Sequence, residues 1–63
     1  MKTHPKAHLF HQAYANLPVG LRKEIVAVID DEPMTFHVVH LELGMKTKMG
    51  WKAVDQMVRL GIL

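Results

Sequence analysis

The 63-residue chain contains no cysteine and no serine, and it has only three prolines, four glycines and four aromatic residues. Without cysteine there is neither a disulfide framework nor a thiolate zinc site. Without serine the commonest hydroxyl nucleophile is missing. No glycine-rich phosphate loop is present, and the acids Asp30, Asp31 and Glu32 crowd into what reads as an exposed turn. These absences predict a protein that is not an enzyme and carries no cofactor. No apolar run approaches the roughly 20 residues that span a bilayer. The start, MKTHPKAHLF, has no long apolar region and no small-residue cleavage site. The expected compartment is the cytoplasm.

What is present suits one small domain over residues 1–63, with 49% hydrophobic and 22% charged residues. A chain of this length buries only about 60% of the surface its unfolded form exposes. Stability beyond that thin core has to come from packing or self-association, and a homodimer is expected. The net charge is only +2, so its distribution matters more than its sum. Residues 45–63 carry Lys46, Lys48, Lys52 and Arg59 against the single acid Asp55, four bases to one, so positive charge gathers near the C-terminus.

Periodicity predicts four helices and an all-α fold. An N-terminal helix is expected over about 5–16, with Thr3 or His4 near its cap and Pro5 tolerated in the first turn. Its apolar stripes are Leu9, Ala13 and Leu17, and beside them Phe10 and Tyr14. A second helix is expected from near Pro18, since Leu21, Ile25, Val28 and Ile29 have helical spacing, with Asp31-Glu32-Pro33 ending it. Thr35 caps a third through about Leu43, with Phe36, Val39 and Leu43 on one face and Val38 and Leu41 widening it. The β-branched pair Val38 and Val39 also suits a short strand, but the flanking Thr35 and Gly44 favour helix, with Gly44 as a left-handed stop. The last helix spans about 47–60 and turns Ala53, Val54, Met57 and Val58 inward. Met45, Met49 and Met57 read as core fillers.

The series Leu43-Gly44-Met45, then Val54, Met57, Gly61, Ile62 and Leu63, resembles the turn and recognition helix of the winged helix-turn-helix DNA-binding family. The resemblance covers residues 18–63 and implies a trihelical helix-turn-helix core, preceded by the N-terminal helix. In that family Met45 would plug the turn and Gly61 would release the chain into a strand. Here the sequence reads only to Gly61–Leu63, so a vestigial strand at most, without the wing, is expected. Gly50 stands where the family has a branched apolar residue; it weakens a helix by about 1 kcal/mol relative to alanine and admits another backbone closely.

The resemblance implies duplex DNA as partner and a role in transcription regulation or as a replication accessory factor. The implied DNA-binding residues are Lys46, Thr47, Lys48, Trp51, Lys52 and Asp55. The lysines suit phosphates, and Asp55 can accept from a cytosine amino group. Trp51 has three readings: a stacking or wedging residue at DNA, an anchor for a larger protein partner, or a side chain folded back on the N-terminal helix. The alternative function is accordingly a protein-protein docking module that binds a larger protein through Trp51 and the N-terminal helix. The five histidines read as ordinary helix residues, because neither a nearby carboxylate set nor a cysteine completes a metal site.

Overall fold

The computed structural model describes residues 3–63. It contains three α-helices and a two-stranded antiparallel sheet: α1 (Ala7–Ala15), β1 (Ile25–Ile29), β2 (Glu32–Thr35), α2 (Phe36–Gly44) and α3 (Lys48–Arg59). A 3₁₀ helix at Val19–Lys23 lies between α1 and β1. The fold is therefore α plus β, and the all-α expectation is overturned. Residues 18–63 hold two α-helices and a hairpin rather than a trihelical core.

The error lies in the second helix. Four of the five residues in Ile25-Val26-Ala27-Val28-Ile29 are β-branched, a composition that suits a pleated, half-buried surface better than a helix. Asp30 and Asp31 form the two-residue connection, with φ of 52° and 67°. Positive φ at both positions matches the hairpin turn whose twist follows that of the strands. Aspartate accepts the left-handed region better than most residues, though less readily than glycine.

Register runs Ile29 to Glu32, Val28 to Pro33 and Ala27 to Met34, then slips by one so that Ile25 faces Thr35. The extra residue, Val26, is a bulge, and it packs against the core on the same side as buried Ala27. In a two-residue hairpin the pair beside the loop exchanges hydrogen bonds and the next pair does not. Pro33 occupies that next position, so its missing N–H removes no bond from the ladder. Val28, opposite it, turns its N–H and C=O away from β2. Gln56 of α3 meets both: the Val28 N–H donates to Gln56 Oε1 at 2.9 Å, and Gln56 Nε2 donates to the Val28 carbonyl at 3.1 Å.

The core draws one to three residues from each α-helix and strand: Phe10 of α1, Ala27 and Ile29 of β1, Met34 of β2, Val39 of α2, and Ala53, Val54 and Met57 of α3. Of the two stripes on α1, the one through Phe10 and Tyr14 faces inward. On α2, Phe36, Val39 and Leu43 face the core as expected, whereas Val38 and Leu41 are exposed rather than widening that face.

Both helix ends near the C-terminus close in the same way. After α3, Gly61 has φ of 75°; its N–H bonds the Val58 carbonyl and that of Ile62 bonds the Met57 carbonyl. This is a Schellman cap, so Gly61 stops the helix and no strand forms at Gly61–Leu63. After α2 the pattern recurs with Lys46 N–H to Leu43 and Thr47 N–H to Glu42. There the left-handed residue is Lys46, with φ of 57°, and not Gly44, which belongs to the helix. Met45 is 66% exposed and does not plug the turn. No helix among the described residues is long and apolar enough to cross a membrane.

Candidate nucleic-acid interface

Helix α3 is divided sharply. Gly50, Ala53, Val54 and Met57 are buried, while Lys48, Lys52, Asp55 and Arg59 lie on the exposed side. Thr47 caps its start: the hydroxyl accepts from the Gly50 N–H at 3.2 Å and donates to the Glu42 carbonyl at 3.4 Å. Thr47 is thus committed to holding the α2–α3 turn. The N–H groups of Lys48 and Met49 find no acceptor among the described residues. No acid stands in the first turn to neutralise the positive end of the helix dipole.

Lys46, in the turn, and Lys48, at the first helical position, are both exposed beside those groups. Lys52, one turn further, lies 3.2 Å from Asp30 in the hairpin connection. Both partners are more than half exposed, and such pairs contribute little to stability. Lys52 can therefore exchange Asp30 for another anion at small cost.

Asp55 and Trp51 are tied to the N-terminal segment by His4, which the sequence offered only as a residue near a helix cap and as an ordinary helix histidine. His4 is only 6% exposed, and its Nε2 lies 2.6 Å from Asp55 Oδ1. Its Nδ1 accepts from the Lys6 N–H at 2.9 Å, which leaves Nε2 as the nitrogen that carries hydrogen and donates to the carboxylate. The ring also stands edge-on to Trp51, with centroids 4.8 Å apart. Trp51 is half-buried, in keeping with the fold-back reading. Asp55 is then less an intruder in a basic surface than the anchor of the chain's beginning.

Two shallow clefts flank Trp51. One, of about 450 Å³, lies between it, His4, Lys6 and Arg59; the other, of about 270 Å³, lies between it, Lys48 and Lys52. The structure thus gathers Lys48, Trp51, Lys52 and Asp55 on one surface, with Lys46 at its end and Thr47 beneath it. Sequence reasoning missed Asp30, His4 and Gln56, the residues that fix this surface to the hairpin and the N-terminal segment. His4 and Asp55 are 51 positions apart, and no local pattern links them. The described histidines, aspartates and glutamates form no group of three or more able to hold a metal ion.

Compared with models of protein families, with curated proteins and with solved structures, the chain matches none of them.

Proposed function

We propose that the chain binds duplex DNA through α3, as a small regulator of transcription or a replication accessory factor. The observation that carries this reading is the start of α3. Two N–H groups there, at Lys48 and Met49, find no acceptor among the described residues and lie beside Lys46, Lys48 and Lys52, and no acid stands in that first turn. A helix end of this kind favours phosphate, and a 12-residue helix reaches about 18 Å, enough to lie along a major groove. Asp55 keeps its second oxygen for a base-edge donor, and Trp51 adds an apolar surface between the lysines.

The test is a titration with random-sequence duplex at several salt concentrations. Three lysine–phosphate contacts give a log–log slope of about −3. Lys46→Gly should flatten that slope by about 1 by removing one contact. The same change should raise stability by roughly 0.5–1 kcal/mol, because Lys46 occupies the left-handed position that glycine prefers. Absence of binding at low salt, or a slope unchanged in this stabilised variant, would count against the lysine surface.

A second reading, association through an apolar face, is favoured by Val38, Leu41 and Met45. These three are exposed at a spacing of three and four along the outer side of α2 and its end. We propose that this stripe pairs two copies of the chain. Sedimentation should show a concentration-dependent dimer that Leu41→Glu dissolves; a monomer at all concentrations would remove the idea.

A further inference from the structure

We infer that a separate cleft, at the beginning of α2, is a binding site for a phosphate group. It shares no residue with the α3 surface and does not depend on that surface binding DNA. The cleft has a volume of about 400 Å³ and is lined by Tyr14, Val19, Arg22, Lys23, Thr35 and His37.

Three features point to an anion. The first is a preset guanidinium. Arg22 Cζ sits 4.4 Å above the centre of the Tyr14 ring, and the Tyr14 ring is stacked on His40 at 4.3 Å with planes only 4° apart. A guanidinium held over an aromatic face loses little freedom when it forms the paired hydrogen bonds that suit phosphate oxygens.

The second is an unanswered donor. Arg22 Nε is buried with no hydrogen-bond partner, and Arg22 makes no ion pair among the described residues. Buried donors are ordinarily satisfied, so one left open on a cleft-lining arginine calls for a missing acceptor. The third is the company it keeps. Lys23 adds a second cation, and no acid lines the cleft. At the start of α2, Phe36 N–H donates to the Glu24 carbonyl and Val38 N–H to the Thr35 hydroxyl, whereas His37 N–H finds no acceptor among the described residues. The Tyr14 hydroxyl, 3.4 Å from His37 Nδ1, fixes that side chain at the rim. Two side-chain cations, one with an unpaired buried N–H, and a helix amide without an acceptor among the described residues thus stand together at one cleft.

The experiment is a titration of the full chain with inorganic phosphate, at ionic strength held constant with chloride, followed by backbone and arginine side-chain NMR signals. Saturable shifts are expected at Arg22 Nε–H and at the His37 amide, with a midpoint on the order of a few millimolar, as befits one small anion. Arg22→Gln should weaken binding about tenfold or more, and Arg22→Lys should not restore it, because an ammonium cannot offer the flat fork. Lys23→Gln, at an exposed position, should weaken it about threefold and guards against loss of folding in the arginine variant. Non-saturating shifts, or an equal midpoint in folded Arg22→Gln or Lys23→Gln protein, would overturn the site. A parallel titration with duplex DNA assigns the phosphate. Shifts of the same signals that free phosphate reverses identify the DNA backbone, and their absence identifies a small phosphorylated molecule; both outcomes uphold the cleft as a phosphate site.

Discussion

Gly50→Ala is expected to lower the melting temperature by up to roughly 15 °C, the counterpart of up to about 2 kcal/mol in a domain of this size. Helix propensity argues the other way, since alanine inside a helix gains about 1 kcal/mol over glycine. Geometry decides between them. A Cβ placed on Gly50 would lie 3.0 Å from the Glu42 carbonyl carbon, 3.0 Å from the Leu43 nitrogen and 3.2 Å from Leu43 Cδ2. Two of these neighbours are backbone atoms of α2 and cannot rotate aside, so the helices must separate. Overpacking of that kind costs about 1–3 kcal/mol, which exceeds the propensity gain. Moving α2 from α3 also disturbs the Thr47 hydroxyl, which bonds both Glu42 and Gly50. Thermal unfolding followed by circular dichroism provides the measurement. A melting temperature that rises would mean the two helices have room to spare.

Phe10→Ala should abolish cooperative folding of the whole chain rather than merely detach α1. Phe10 is 0% exposed and belongs to the cluster that joins α1, both strands, α2 and α3. Its ring stacks near Tyr14, with centroids 5.7 Å apart, and lies 6.5 Å from that of Phe36. Truncating a buried phenylalanine costs about 3–5 kcal/mol. A chain of 63 residues has a total stability of only about 3–9 kcal/mol at the usual contribution per residue. Urea titration of the variant should give no folded baseline, with both helical and strand signals lost together. Partial loss of helix with a preserved transition would instead make α1 an appendage, which the position of Phe10 argues against.

Part of the fold was legible where the signal is local. Thr35 caps α2 by accepting from the Val38 N–H, and Gly61 ends α3, as expected, whereas Thr47, read as the first residue of the last helix, is its cap. The hairpin was missed because Ile25, Val26, Val28 and Ile29 satisfy a helical stripe as well as a strand, and a bulge at Val26 spoils strict alternation. Its turn is Asp-Asp rather than the Asn-Gly or Asp-Gly that usually announces such a loop. Pro33, read as the end of a helix, lies inside β2. The exchange of roles between Gly44 and Lys46 is a displacement of two residues, and periodicity does not resolve helix ends that finely. In the candidate site the lysines were visible as a charge cluster. Their supports were not, because His4 with Asp55 and Gln56 with Val28 are contacts between distant parts of the chain.

The Gln56 amide has a consequence for colloidal behaviour. A lone hairpin ordinarily offers two open margins on which strands of other molecules can grow, the first step towards aggregates. On β1, the donor and acceptor of Val28 are already occupied by Gln56. On β2, the corresponding position is Pro33, which has no N–H to offer. One glutamine and one proline, facing outward at the same level of the ladder, thus blunt both margins and resist fibrillar recruitment without the expense of a third strand.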